Sequence, residues 1–309
     1  SAGMTSIMNV EPPLRPPAHR VSPRAVRWWQ LRALPWLVVL GAPQLVMLLT
    51  TGAPVWPWTL AATVVGTLVR SQLAVLFPVL LLLVFGAILN YDIGASVGVE
   101  IGFVQYFIAG VTAAGILGAS LQNMAISIAT ERSDGTLKQL VGTPMPKHAY
   151  FVGKVVQVLA VTAAIVVLLL FVGVVFYGVD LPTGSDWLTF AWVTVLGSAA
   201  CTLLGIAVSS LAKNGRSASA TVTPIALVLQ FISGVFFQFS QVPGWLQTIA
   251  SLFPLKWMAQ GLRSVFLPDA MAALEPAGSW ELGRVALVLA AWCVAGLALC
   301  VVTFRWQDR

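Results

Sequence analysis

Long apolar runs separated by short polar stretches set the pattern of this chain. Residues 73–90, 103–129, 151–177, 188–211, 218–239 and 285–304 are each apolar over about 18 residues or more, the length a helix needs to cross the hydrocarbon of a bilayer. Six transmembrane helices are therefore expected. Residues 242–267 are apolar too, but Pro243, Gly244 and Pro254 break them, which predicts two short helices of a re-entrant outer element ahead of the last span. Broken backbone is tolerated at membrane depth only where protein or a water-filled cavity covers it. Upstream, residues 34–51 contain Pro35 and Pro43, residues 59–69 are too short to span alone, and the Trp56-Pro57-Trp58 turn between them has interfacial character. The expected organisation is a largely disordered arm at 1–33, an apolar hairpin and connecting helix at 34–72, and a six-helix domain at 73–309. The fold class is an all-α polytopic membrane protein.

One polar island interrupts the hydrocarbon at residues 130–147. It reads Thr130-Glu131-Arg132-Ser133-Asp134-Gly135-Thr136-Leu137-Lys138-Gln139-Leu140-Val141-Gly142-Thr143-Pro144-Met145-Pro146 before Lys147. Thr136 followed three residues later by Gln139 is a capping-box spacing, so a short helix is expected from Leu137, ended by Gly142 and Pro144. Because apolar runs flank it on both sides, this helix would lie against the membrane face, where a soluble partner could push on it. An ordinary solvated connection has the same composition.

Composition removes several classes of function. With 58% hydrophobic and 9% charged residues the chain is no soluble globule, since soluble domains carry about 25% charged residues. The net charge of +6 does not point to nucleic acid, because the basic residues form no surface with stacking aromatics. They report topology instead. Fourteen of the seventeen Lys and Arg residues fall on the side shared by the island, leaving Lys256, Arg263 and Arg284 opposite, where seven of eleven acids also lie. The excess of positive charge places the island and both termini in the cytoplasm. Residues 34–69 then cross an even number of times, zero or two.

Cys201, Cys293 and Cys300 all stand in apolar runs with no histidine nearby and read as small buried hydrophobes, so no metal site is expected. No ionisable residue lies at the middle of any of the six spans, which argues against a proton- or ion-coupled carrier. No Ser/His or paired-Asp set can be assembled within the spans, and no catalytic residue is expected. The sequence also contains no GxxxxGK[ST], so if ATP drives this protein another chain binds it. Two stripes remain. Gly110, Ala114, Gly118 and Gln122 recur every four residues in the second span, a pattern for close helix packing within one subunit or between two. Gln230, Phe231, Ser233, Phe236, Phe237 and Gln238 make the fifth span aromatic and polar at once, which suits a cavity for amphipathic molecules and equally suits ordinary core filling.

Glu131-Arg132 with Gly135-Thr136-Leu137, then Thr143-Pro144 and Gly153-Lys154, resembles the cytoplasmic loop of the type 2 ATP-binding-cassette (ABC) exporter permeases. Val242-Pro243-Gly244-Trp245-Leu246-Gln247, Phe253-Pro254-Leu255 and Gly261-Leu262-Arg263 are similar to the element before that family's last helix. The resemblance, drug-resistance exporter-like, covers residues 70–309. It implies that the loop carries a coupling helix, with Glu131, Arg132, Gly135, Thr136 and Leu137 meeting a cytoplasmic ATPase present in two copies. It implies a second permease, as homodimer or paralogue heterodimer, and a substrate path near Gln122, Asn123, Gln230, Phe231 and Phe236. No cofactor is expected in this chain; ATP and Mg would sit on the ATPase. The implied function is outward movement of drug-like or lipid-like amphipaths across a bacterial inner membrane, with membrane lipids as neighbours and no nucleic-acid partner. A lipid or glycan exporter of the same family, and a nucleotide-independent channel or carrier, stand as alternatives. One departure concerns residues 60–76, where the family's amphipathic connecting helix would lie but which carry unusually little charge.

Overall fold

The computed structural model describes residues 73–89, 91–137 and 147–303, all within the compact unit Gln72–Arg309. The expectations for the 1–33 arm, the 34–69 hairpin and the coupling helix beyond Leu137 lie outside the described residues. Eight α-helices are bounded among the described residues: α1 Leu73–Ile88, α2 Phe103–Ser133, α3 Lys147–Tyr177, α4 Asp186–Ser209, α5 Gly215–Ile232, α6 Gly244–Ser251, α7 Pro254–Phe266 and α8 Leu282–Thr303. Among the described residues there is no strand, only an isolated bridge between Asp92 and Gly102. Four helices among the described residues are long and apolar enough to cross a membrane: α2, α3 over Tyr150–Tyr177, α4 and α8. Helix α1 is a shorter apolar helix, and α5, at 18 residues, begins on a polar turn.

Helix α2 is the axis. It packs against α1, α3, α4, α5 and α7, and 89% of its most apolar window is buried, against 22% for α8. It is also the least hydrophobic of the four long helices. That ordering follows from solvent: a lipid-facing helix must be apolar, whereas one surrounded by protein can carry small and polar residues that let neighbours approach. Gly110 shows the approach, for a Cβ there would stand 2.6 Å from the carbonyl oxygen of Val235. The small-residue stripe thus does its packing inside one subunit at Gly110. Midway along, Gly118–Gln122 widens into a π-bulge, a local distortion common where a helix bends around a function.

Two helix boundaries differ from the hydropathy pattern. The second span, expected to stop near residue 129, continues to Ser133 because Glu131 and Arg132 find partners on neighbouring helices. The fifth span, expected to reach residue 239, stops at Ile232. Gly234 takes φ +74°, and the Nη1 of Arg263 donates to its carbonyl oxygen at 3.1 Å, so the chain turns inside protein rather than in lipid. Residues 242–267 form two short helices, as their prolines predict. Pro254 opens α7 at its first turn, where its missing N–H costs nothing. At 13 residues α7 is about 20 Å long, too short to span the hydrocarbon.

Candidate functional site

The site lies where α2 and α3 reach the polar island. Ser127 and Glu131 are four residues apart on α2, and Tyr150 and Lys154 four apart on α3, so each pair projects from one helical face. The two faces meet. The Nζ of Lys154 donates to Oε1 of Glu131 and to Oγ of Ser127 (2.7 Å), Ser127 Oγ donates to the same carboxylate oxygen at 2.8 Å, and Tyr150 donates its phenol proton to Oε2 at 2.8 Å. Lys154 also stands 5.6 Å from the Tyr150 ring centroid. Both charged groups are largely withdrawn from solvent, with side-chain exposure of 10% for Lys154 and 24% for Glu131. A pair this deep is held by its hydrogen bonds as much as by its charges, because each ion must recover the hydration it gave up.

Arg132 faces another way. Its Nη2 donates to the carbonyl oxygens of Ser209 and, at 3.3 Å, Ala212, at the carboxyl end of α4. Ser209 is the last residue of α4, where a helix leaves its carbonyls short of intrahelical partners, and a cation there also meets the negative end of the helix dipole; Ala212 lies just beyond it. The last two turns of α2 are therefore pinned to α3 by Glu131 and to α4 by Arg132. The third neighbour is α5, capped by Asn214: its side chain accepts from Ser217 N at 2.8 Å, and Ser217 Oγ accepts from Asn214 N at 3.1 Å. This cap sets Gly215 against Thr130.

Beyond Ser133 the chain leaves the helix through Asp134 and Gly135. Gly135 has φ +77°, the left-handed conformation that glycine adopts without penalty. Helix resumes at Thr136 and Leu137. Thr136 is exposed, whereas Leu137 is buried in a core with Met124, Ile128, Tyr150, Val158, Ile206, Ala207 and Cys300. The five loop residues singled out from sequence thus divide into a half-buried fastener (Glu131), a buried one (Arg132), a left-handed hinge (Gly135), an exposed hydroxyl (Thr136) and an apolar anchor (Leu137).

The pathway residues do not form one cluster. Gly215 against Thr130 and Gly110 against Val235 fix α2 and α5 as antiparallel neighbours. In that register Gln122 and Asn123 stand opposite residues 222–224, whereas Gln230 stands opposite 114–116, about 10 Å further along the pair. Gln230 is buried with no partner for its Oε1, and the Nδ2 of Asn123 is likewise unpaired. Phe236 is buried in an aromatic cluster, 6.0 Å from Phe85 and 6.2 Å from Phe107 between ring centroids. Phe231, 4.7 Å from Phe236, is 47% exposed on the free face of α5.

At the other end of the bundle stands a node that sequence spacing did not reveal. Arg263 on α7 is fully buried; its Nε donates to Oε1 of Glu275 at 2.7 Å, and its guanidinium carbon lies 5.4 Å from the Tyr106 ring centroid. Tyr106 in turn donates to the carbonyl oxygen of Phe237 at 3.2 Å. Nearby, Gln105 donates to Phe266 O at 2.9 Å and accepts from Asp180 N at 3.0 Å. These bonds fasten α2, the end of α3, the turn after α5, α7 and the 269–275 segment to one another. The sequence signals were that Arg263 falls in the Gly261-Leu262-Arg263 motif and that the charge count expects Arg263 and Glu275 on the same side of the membrane. Among the described residues no three His, Cys, Asp or Glu side chains come together as ligands for one metal ion.

Comparison with known proteins places these features in context. A sequence model of the family described as "ABC-2 family transporter protein" matches residues 98–302, two thirds of the chain and all of the described helices from α2 to α8. The chain is 25% identical over 158 residues to the "Probable multidrug ABC transporter permease YbhR" of Escherichia coli (strain K12), covering 51% of this chain and 42% of that protein. It is 24% identical over 192 residues to the "Inner membrane transport permease YadH" of the same organism, covering 62% of this chain and 74% of that protein. The chain therefore spans less than half the length of the first of these relatives.

Proposed function

The chain belongs to the ABC-2 family of transporter proteins, and on that premise we propose that it is the permease of an ATP-driven exporter whose conformational change enters through Glu131–Leu137. Permeases of this family are multi-pass membrane components that work with a separate ATPase. The finer reading adds two copies of that ATPase, which carry the ATP and Mg, and a second permease, of this chain or of a paralogue. It adds six spans, α1 to α5 and α8, with α6 and α7 as a re-entrant element, and an orientation that puts the loop and both termini in the cytoplasm of a bacterial cell. The cargo is a drug-like or lipid-like amphipath.

The observation that carries this reading is the way the loop is fastened. A segment that only connects two spans needs no buried ion pair, whereas a segment that moves helices must be fixed to them. Glu131 ties its root to α3 and Arg132 ties it to α4, while Leu137 plugs its far side into the core. Force applied between these fasteners, at Gly135 and Thr136, would reach three helices at once. The two states differ in the contacts the ATPase makes with this segment, which is what lets nucleotide shift one equilibrium toward the other. The substrate path is proposed along the α2–α5 pair, where Gln122, Asn123 and Gln230 carry hydrogen-bonding groups not used by the subunit itself.

Co-expression with a soluble ABC ATPase from the same organism, followed by affinity purification and transport in proteoliposomes, tests the proposal. A stable complex whose transport requires ATP hydrolysis is expected. Transport by the permease alone, without nucleotide, would replace this reading with a channel or secondary carrier.

A further inference from the structure

Helices α3 and α8 both pack on α4, and a groove of about 600 Å³ runs between them. Its floor is Val158, Ser198, Thr202, Ile206 and Cys300, and its rim includes Leu159, Val195, Leu297 and Val301, all at least 42% exposed. From Val195, near the middle of α4, to Ile206, near its end, the groove extends about 16 Å, roughly half the thickness of a bilayer's hydrocarbon and so the depth of one leaflet. It opens sideways, toward lipid, at the end of the bundle that carries Glu131.

The wall excludes water as an occupant. Thr202 donates its hydroxyl to Ser198 O at 2.6 Å, which leaves the Ser198 hydroxyl as the one side-chain oxygen in the lining without a partner. An ordered water needs two to four polar partners, and this groove offers one. What matches an apolar, leaflet-deep slot that opens laterally is a hydrocarbon chain. The floor has a second use, because Val158, Ile206 and Cys300, with Phe151 and Leu203 beside them, belong both to the groove lining and to the core that seats Leu137. Whatever fills the groove presses on the reverse side of the layer that holds the loop.

We propose that the groove between α3, α4 and α8 binds one acyl chain of a membrane phospholipid from the leaflet at the Glu131 end, and that this chain completes the seat of Leu137. The inference needs only that the protein resides in a membrane. It stands or falls independently of the direction and cargo of transport.

Photolabelling of the full chain tests it, in nanodiscs containing a phosphatidylcholine with a diazirine midway along one acyl chain. Adducts at Leu159, Val195 and Leu297 should exceed several-fold those at Val152 and Val156, which lie at the same end of α3, are apolar and are more than half exposed. Filling the groove with Ala199→Trp, or with Leu297→Trp at its rim if the first variant does not fold, should reduce groove adducts to the control level and leave the controls unchanged. Hydrogen exchange at residues 136–137 should quicken when the wild type is stripped of lipid, and not in the filled variant. Equal labelling of groove and control positions would mean ordinary annular lipid only and overturn the proposal. Absence of groove adducts would overturn it too, by showing that protein covers the site.

Discussion

Glu131 and Lys154 are each held by more than the other. Removal of the carboxylate leaves a buried ammonium beside Ser127 and the Tyr150 ring, so Glu131→Ala should destabilise the protein by about 2–3 kcal/mol, the scale of a lost hydrogen bond to a charged group. Glu131→Gln keeps one acceptor oxygen and turns the other position into a donor, and a smaller loss is expected. Replacing the pair together, Glu131→Leu with Lys154→Met, should recover much of the loss, because two apolar side chains have no hydration to forfeit. Thermal unfolding of wild type, Glu131→Leu, Lys154→Met and the double variant, arranged as a double-mutant cycle, checks this; single-mutant losses that simply add would show that the two groups do not interact. Glu131, Lys154 and the glycine at the loop's turn were legible in the sequence as parts of the polar loop and its flank, whereas Ser127 and Tyr150 were not singled out. The meeting of these four side chains was not legible either, because it depends on how α2 and α3 are rotated against each other, which no spacing within either helix encodes. Arg132 illustrates the same limit: its charge pointed to a surface role, and its geometry makes it a cap on α4.

At the level of elements, hydropathy finds runs and misjudges where they stop. Residues 218–239 read as one span because Ser233 and Gly234 are small and the apolar residues on both sides, Phe231-Ile232 and Val235-Phe236-Phe237, hide the turn in the hydropathy pattern. What ends α5 is a guanidinium thirty residues downstream, fixing the Gly234 carbonyl while Glu275 balances its charge. Arg263→Met would leave Glu275 buried and unpaired, at a cost of about 3–5 kcal/mol, and Arg263→Lys should not rescue it, since one ammonium cannot reproduce the forked contact to Gly234 and Glu275. The double variant Arg263→Met with Glu275→Leu should regain stability. Limited proteolysis of the 269–281 segment reports the outcome: the single variant should be cut several-fold faster than wild type and the double variant more slowly than the single. Unchanged cleavage in Arg263→Met would remove this residue as the fastener of the outer end. The breaks at Pro243, Gly244 and Pro254, by contrast, were readable directly, because proline and glycine act on the backbone locally and independently of what surrounds them.

Across the whole molecule, the distribution of charge and the distribution of burial carry different information. The fourteen-to-three division of basic residues underlies the proposed orientation, whereas the low hydropathy and deep burial of α2 set the packing order around it. The orientation predicts that a cysteine placed at Ser133 is shielded from a membrane-impermeant thiol reagent in intact cells and that one at Ser279 is labelled. Labelling at Ser133 from outside would reverse the topology and place the Glu131 loop out of an ATPase's reach.

The central claim, that Glu131–Leu137 transmits motion from the ATPase, turns on a left-handed hinge that glycine adopts freely and a β-branched residue does not. Gly135→Val forces a β-branched residue into left-handed backbone, about 1–2 kcal/mol of strain or more, enough to lower the population of the competent loop about tenfold. Nothing packs within 4 Å of a Cβ at this position, so no clash confounds the change, and Gly135→Asn, which tolerates the same backbone, serves as the matched control. The decisive measurement is substrate-stimulated ATP hydrolysis and export in proteoliposomes holding the assembled complex. Both should fall about tenfold in Gly135→Val, stay near wild type in Gly135→Asn, and leave assembly unchanged in each. Wild-type hydrolysis and export from fully assembled Gly135→Val would contradict the account and leave the loop an ordinary solvated connection.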